Sequence, residues 1–322
     1  MGDRSDHRDG DAHPTWAALR VDAARRLEAS RFASGRQQSS GPEHAAQAAR
    51  WIVEEASGAR GADLVGIELE AATASGAKRV AAMVARRLAG EPLQYVLGSW
   101  SFRGIDLFVD RRVLIPRPET ELTAQLAIDE AIRLGTRRGR RAPFSGTEAA
   151  CVVADLGTGS GAIALALAYE LPDAEVWATD LSADALAVAR ANVAGAGSMA
   201  ARVRIGEGDW FEALPAELHG RLRVVVSNPP YVTESEVEHL PSEVAAFEPR
   251  GALVSGSTGL ESIEGIVADA PLWLEPRGAL VIELDPRRAD GAMQRARDAG
   301  FADVRVERDL ADRPRVLVAR IG

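Results

Sequence analysis

The sequence predicts an α/β fold, a mostly parallel sheet covered by helices, preceded by a small helical bundle. Three observations predict it. From Cys151 onward, short apolar runs alternate with helix-patterned stretches, the pattern of parallel strands joined by crossover helices. A glycine-rich turn, Asp155-Leu156-Gly157-Thr158-Gly159-Ser160-Gly161, follows the first of those runs and opens a helix. The first ninety residues instead carry apolar side chains at helical spacing.

Taken in order, residues 1–14 are charged and lack an apolar core, so they read as a disordered tail and not as a secretory signal. Trp16, Leu19, Ala23 and Leu27 line one helix face, with Pro14 and Thr15 where a helix can start. After the breaker stretch Ser39–Pro42, a second face comprises Ala45, Ala48, Ile52 and Ala56. A shorter helix is expected near Ala62–Leu69. Val80, Met83, Val84, Arg87 and Leu88 form a third face that Gly90 stops. These elements define a helical domain over residues 15–91 with short connections.

A linker over residues 92–121 follows. Within it, Ser101–Val109 and Arg112–Ile115 are rich in β-forming residues and read as the two strands of a hairpin. Pro116 and Pro118 hold the next segment extended before a helix that runs to about Leu134. Arg133–Arg141 carries five arginines in nine residues and reads as a solvated connector, with an RNA contact as the sharper alternative.

The sheet domain covers residues 122–322. Its strands are expected at Cys151–Ala154, Ala174–Ala178, Val203–Ile205, Leu222–Val226 and Ala279–Leu284, with helices at Ala162–Leu171, Ala183–Ala194 and Leu260–Leu274. A helix near Ala289–Ala299 precedes Val304–Glu307 and Arg315–Ala319, an antiparallel pair separated by Asp309–Pro314.

Composition narrows the function. A length of 322 residues suits two domains. A net charge of −9 argues against coating nucleic acid or anionic membrane through bulk charge. Cys151 is the single cysteine, which excludes an intramolecular disulfide framework and a cysteine-based zinc cluster and fits a reducing, cytoplasmic setting. The five histidines show no metal-ligand spacing, and no metal is expected. No apolar run approaches the ~18 residues of a membrane span.

The glycine turn has the form G-x-G-x-G. Residue 162 is alanine and no lysine follows, so neither the dinucleotide fingerprint nor the phosphate loop is satisfied. Alternating glycines let the backbone turn sharply and let a ligand approach main-chain atoms. The second strand ends at Asp180, nineteen residues past Gly161, where an acid in a doubly wound sheet faces a ribose. A helix N-cap is the bland alternative. The third strand leads to Gly208-Asp209-Trp210-Phe211, an acid and an aromatic suited to an adenine. Together these features resemble a class I S-adenosylmethionine-dependent methyltransferase, with a Rossmann-like, mostly parallel seven-stranded sheet. The resemblance implies that Asp180 holds the ribose hydroxyls and that Asp209 and Trp210 line the adenine site.

The strongest signal is Ser227-Asn228-Pro229-Pro230-Tyr231 after the apolar run Val224–Val226. Two consecutive prolines cannot extend a strand ladder and stiffen the chain as it leaves the sheet. The Asn228 side-chain carbonyl and the Pro229 main-chain carbonyl are two acceptors suited to a planar NH2 group, and Tyr231 offers a ring face. Binding both N–H protons raises electron density on a delocalised nitrogen and aims its lone pair at the methyl carbon. Orientation then supplies much of the acceleration, and no histidine or cysteine nucleophile is required.

The Asn-Pro-Pro-Tyr motif alone leaves DNA adenine, RNA guanine and protein glutamine as targets. Gly90-Glu91-Pro92-Leu93-Gln94-Tyr95-Val96-Leu97-Gly98, Phe102, Leu107–Val109, Leu114-Ile115-Pro116-Arg117-Pro118-Glu119-Thr120-Glu121, Phe247-Glu248-Pro249-Arg250 and Gly259-Leu260 make the choice. With these segments the chain, from about residue 15 to its C-terminus, looks like the HemK/PrmC family of peptide chain release factor glutamine methyltransferases.

The resemblance implies methyl transfer from S-adenosylmethionine to the side-chain amide nitrogen (N5) of the glutamine in the Gly-Gly-Gln motif of bacterial class 1 release factors. It implies that Gly157, Thr158, Gly159, Ser160, Gly161, Asp180, Asp209, Trp210 and Asn228 bind the cofactor. Asn228, Pro229, Pro230 and Tyr231 would hold the glutamine, and Arg117, Pro118 and Glu119 in the Ile115–Glu121 segment would line its entry. The helical domain would grip the release factor, and a monomer with no membrane or obligate nucleic-acid partner is expected. One departure stands out: where relatives commonly show a glycine and a glutamine after the last parallel strand, this chain has Asp285-Pro286-Arg287-Arg288. A glutamine methyltransferase acting on a ribosomal protein ranks second, followed by a nucleic-acid base N-methyltransferase and, from another class, a noncatalytic cofactor-binding protein.

Overall fold

The computed structural model describes residues 13–33, 42–135 and 151–322. The expected tail over residues 1–14 thus lies outside the described residues except for His13 and Pro14. So does the arginine-rich connector beyond Gly135. The chain divides into two units, Met1–Leu97 and Gly98–Gly322. No described helix is long and apolar enough to cross a membrane.

The first unit contains α1 (Trp16–Ala33), α2 (Pro42–Ser57), α3 (Ala62–Ile67), α4 (Ala74–Leu88) and α5 (Leu93–Leu97). Its core gathers Trp16, Ala23, Leu27, Ala49, Ile52, Val53, Val80 and Val84, the apolar faces at helical spacing. Thr73 caps α4 by accepting from the Gly76 N–H at 3.0 Å. Arg86 on α4 pairs with Glu91 at 2.8 Å and also donates to the Tyr95 carbonyl at 2.8 Å, fastening α5 against α4.

The second unit opens with a hairpin, β1 (Ser99–Phe102) and β2 (Ile105–Phe108), paired antiparallel from Ser99↔Phe108 to Phe102↔Ile105. β2 falls within the expected run Ser101–Val109, and β1 begins two residues before it. Arg103 and Gly104 form a two-residue turn with φ of 48° and 75°, the left-handed pair that matches strand twist. The second strand is Ile105–Phe108 and not the expected Arg112–Ile115. Residues 112–115 form no strand: the Asp110 carbonyl accepts from Val113 N–H at 3.1 Å in a turn, and Val113 and Ile115 bury their side chains from irregular backbone.

After α6 (Thr120–Arg133), the sheet is laid down by β3 (Cys151–Leu156), α7 (Ala162–Glu170), β4 (Ala174–Asp180), α8 (Ala183–Gly195), β5 (Val203–Glu207) and β6 (Leu222–Ser227). It continues with α9 (Ser242–Phe247), α10 (Glu261–Trp273), β7 (Leu274–Glu283), α11 (Ala289–Asp298), β8 (Asp303–Arg308) and β9 (Pro314–Arg320). The strand order is β5-β4-β3-β6-β7-β9-β8, with β9 antiparallel to both of its neighbours. β7 begins at Leu274, five residues before the expected Ala279, because a register shift opposite Leu222–Val224 absorbs the intervening segment. β3 and β6 are fully buried but for Arg223, as a parallel sheet covered on both faces requires.

Chain order reverses across β3. From it the chain runs outward through β4 and β5, then returns to β6 on its other side. The crevice at the carboxyl ends of β3 and β6 is therefore the topological switch point where such sheets bind ligands. Leu156 pairs with Ser227 there, and the Ser227 hydroxyl donates to the Leu156 carbonyl at 2.7 Å.

Candidate functional site

The glycine turn leaves β3 with Gly157, Gly159 and Gly161 at φ of 71°, 56° and 84°, a run of left-handed conformations that side chains resist. A Cβ on Gly157 would meet the Trp210 ring at 3.4 Å. Buried Asp155 anchors the turn: Oδ2 accepts from the Thr158 hydroxyl at 2.6 Å and from the Ala164 N–H at 3.0 Å. Burial pushes its pKa up to about 7, and its Oδ1 is buried with no hydrogen-bond partner.

Asp180 ends β4. Its Oδ2 accepts from Gly159 N–H and its Oδ1 from Ser182 N–H, both at 2.9 Å. Each oxygen keeps a second acceptor site. Burial raises the Asp180 pKa against these bonds. The cap of α8 is Ser182, whose hydroxyl accepts from Ala185 N–H at 3.2 Å, so Asp180 is not spent as a helix cap. The Thr158 N–H donates to the Thr179 carbonyl at 2.8 Å, tying the glycine turn to β4. At the end of β5, Trp210 holds a φ of 42°, an uncommon value for a bulky residue, and its ring lies against Gly157.

Asn228 follows β6. Its Nδ2 donates to the Thr120 hydroxyl at 3.2 Å. Past the two prolines, the chain is pinned by main-chain bonds from Val232 N–H to Leu253 O at 2.9 Å and from Ser255 N–H to Val232 O at 2.8 Å. Gly259 packs beneath this segment at a φ of 76°, and a Cβ there would meet the Tyr231 carbonyl oxygen at 2.5 Å. Tyr231 is half-buried, and burial pushes its phenol pKa up to about 12.

These strand ends enclose a cavity of about 520 Å³. Of the residues assigned a site role from the sequence, Gly157, Thr158, Gly159, Ser160, Asp180, Asp209, Trp210, Asn228 and Pro230 line it. Gly161, Pro229, Tyr231, Arg117, Pro118 and Glu119 do not. Gly161 starts α7 behind the turn, and Pro229 is buried. Arg117 is drawn away by Glu248, whose two carboxylate oxygens accept from it at 2.6 and 2.7 Å, and Glu119 pairs with Arg313 at 3.3 Å. From the Ile115–Glu121 segment, Pro116 and Thr120 reach the cavity.

The sequence reading missed several contributors. Arg112, Val113 and Leu114 line the cavity from the irregular segment once read as a strand, and Pro249, Gly251 and Val254 line it from beyond α9. Asn192 on α8 accepts from Phe108 N–H at 2.7 Å and donates to Phe108 O at 2.9 Å and Ser160 O at 2.8 Å, holding β2 and the glycine turn together. A polar residue amid the apolar positions of a helix was its only signal. At Asp285–Arg288, Asp285 caps a short turn and Arg287 and Arg288 pair with Glu236, so this departure is built into an ion-pair cluster.

The chemistry of the lining suits S-adenosylmethionine. An acid with spare acceptor sites meets a diol, glycine backbone permits close approach, an aromatic side chain stands beside the acid Asp209, and the volume fits a nucleoside-sized ligand.

Comparison with known proteins agrees. The Methyltransferase small domain family matches residues 145–246, and the PrmC N-terminal domain family matches residues 28–98. A release factor glutamine methyltransferase of Bordetella pertussis is 45% identical over 73% of this chain and 79% of its own length. The one from Geobacter sulfurreducens is 39% identical over 88% of this chain and 92% of its own length. Among solved structures, the hMettl16 catalytic domain shares the fold, at 14% identity and a TM-score of 0.50 over 76% of this chain and 81% of that one.

Proposed function

The chain belongs to the release factor glutamine methyltransferase family, and from that premise we propose how its residues carry out the transfer and on which atom. It is an S-adenosylmethionine-dependent protein-(glutamine-N5) methyltransferase. The observation that carries the assignment is the meeting of the glycine turn, Asp180 and Asn228 in one cavity. S-adenosylmethionine supplies an electrophilic methyl group on a sulfonium.

The chain's own work is binding and orientation. Asp180 takes the ribose hydroxyls on acceptor sites left over from its two backbone bonds, and Asp209 and Trp210 flank the adenine. Asn228 Oδ1 accepts an amide proton of the substrate glutamine, which turns its nitrogen toward the methyl group. Pro229 and Tyr231 act from behind the lining, stiffening the backbone on which Asn228 and Pro230 are displayed. The substrate glutamine is that of the release factor Gly-Gly-Gln motif, which enters past Pro116 and Pro249. The helical unit contributes the grip on the release factor, and the reaction takes place in the cytoplasm.

Incubating the enzyme with methyl-labelled S-adenosylmethionine and a bacterial class 1 release factor should label the protein. Label appearing on RNA, DNA or a ribosomal protein in preference to the release factor would refute this substrate.

A further inference from the structure

We propose that Asn192 is a positioning residue for the cofactor. It joins the glycine turn to the hairpin and so sets the spacing between two segments that line the cavity, the turn and residues 112–114. This role rests on the reading of that cavity as the S-adenosylmethionine site.

A two-stranded hairpin is marginal by itself and takes its place from whatever holds its edges. Here Ser99 pairs with Phe108, and the next N–H, that of Val109, donates to the Gly98 carbonyl at 3.2 Å. Hydrogen-bonded and open pairs alternate along an antiparallel ladder, so the N–H and C=O of Phe108 face outward from β1. Asn192 takes both. Its Oδ1 accepts from the N–H at 2.7 Å and its Nδ2 donates to the carbonyl at 2.9 Å, as a third strand would. The other Nδ2 proton goes to the Ser160 carbonyl at 2.8 Å. The Phe108 N–H can only donate and the Ser160 carbonyl can only accept, so the carboxamide has one orientation.

Asn192 does not line the cavity, but both points it tethers lead there. Ser160 is part of the lining and sits between the left-handed Gly159 and Gly161. The turn is thus tied to β4 through Thr158 and Gly159, and to α8 through Ser160. Arg112 follows Phe108 by four residues. Asp110 stiffens that step. Its carbonyl accepts from Val113 N–H at 3.1 Å, and its carboxylate accepts from Arg112 N–H at 3.0 Å and from the Arg112 guanidinium at 2.6 Å. Fixing Phe108 therefore fixes residues 112–114, which line the cavity together with Asp180 and Ser182. The turn of the hairpin is anchored separately, by Arg103 donating to Gln125 at 2.8 Å and to the Glu121 carbonyl at 3.1 Å. Asn192 holds the end that leads into the cavity. It is 8% exposed, so loss of its amide leaves one N–H and two carbonyls with little water to replace it.

Asn192→Leu has nearly the same shape and no hydrogen-bonding groups. In the full-length variant, calorimetric affinity for S-adenosylmethionine should fall about tenfold. KM for S-adenosylmethionine should rise by the same factor in assays with release factor. KM for release factor, and kcat at saturating cofactor, should stay within about twofold of the parent. Hydrogen exchange on the parent is a second measurement that needs no variant. Phe108 does not line the cavity, yet S-adenosylmethionine should slow exchange of its N–H several-fold, because turn and hairpin are held as one.

Parental cofactor affinity in Asn192→Leu, or Phe108 exchange unchanged by S-adenosylmethionine in the parent, would overturn the tether. A fall in kcat with both KM values unchanged would mark a smaller folded fraction and also overturn it. So would a rise in KM for release factor alone. Asp180→Ala is the reference: parental cofactor affinity in that variant would remove the reading of the cavity itself.

Discussion

The two ends of the cavity are built from different material. At the end proposed for the cofactor, backbone makes the lining: three left-handed glycines, the Thr158 and Gly159 amides tied to β4, and an Asp180 carboxylate bonded to two main-chain N–H groups. At the acceptor end, side chains from distant segments do it. Asn228 donates to Thr120, Thr123 donates to Glu283, and Arg117 is paired with Glu248. The first end is made by local chain geometry and sits on strands whose register fixes it. The second requires the fold to bring together positions more than a hundred residues apart. Cofactor binding and acceptor orientation should therefore be separable by mutation.

The largest separation is expected from Asn228→Ala. Loss of a preorganised polar contact to the reacting group costs about 10²–10³ in kcat. Calorimetric affinity for S-adenosylmethionine should fall by no more than a few fold. Equal losses in both would merge the two ends into one.

Both ends hide a buried acid, Asp155 behind the glycine turn and Glu283 bonded to Thr123, and burial pushes each pKa up to about 7. For Glu283, Arg315 opposes the shift and Glu119 adds to it, with Tyr231 also close enough to feel the charge. The folded chain therefore holds a proton on Glu283 that the unfolded chain releases near its ordinary 4.5. That stabilising contribution is complete below about pH 4.5 and is lost as pH rises through about 7. Glu283→Gln has no such proton to lose. Its stability relative to the parent should rise across this window, by up to about 3 kcal/mol, in denaturant melts at stepped pH. The same pH dependence of stability in the parent and in Glu283→Gln would contradict the raised pKa.

Arg117→Ala should cost about 1–2 kcal/mol in stability, less than a wholly buried pair because Arg117 is 34% exposed, and leave Glu248 buried without its partner. Since Pro116 and Pro249 flank this pair and line the cavity, KM for release factor should rise more than KM for S-adenosylmethionine. The reverse split would assign the pair to the cofactor end. The smallest effect is expected from Gly157→Ala, where a φ of 71° and the Trp210 ring at 3.4 Å together cost about 1 kcal/mol, near fivefold in cofactor affinity, with KM for release factor unchanged.

The same contrast explains what could be read from the chain itself. The glycine turn, Asp180 and Asn228 were legible because each is dictated by neighbours within a few residues: alternating glycines, a strand end, two prolines. Glu283 and Asn192 were not, since nothing near them in sequence marks a strand-end glutamate or a helical asparagine, and Thr120 was legible only as a member of the Ile115–Glu121 segment. The Arg117–Glu248 pair is a further case. Both residues lay in segments that carried the resemblance, yet the pairing turns Arg117 from the cavity. The hairpin was misplaced for a local reason: a two-residue turn at Arg103-Gly104 needs one glycine, and the apolar run on either side masked it.

The central claim is that the acceptor end is shaped for a side-chain carboxamide, and fragmentation mass spectrometry of release factor after reaction tests it most directly. The added methyl group should map to the side-chain nitrogen of the Gly-Gly-Gln glutamine with the parent enzyme and be absent with Asn228→Ala. A methyl group on any other residue, or the same product from Asn228→Ala at the parental rate, would contradict it.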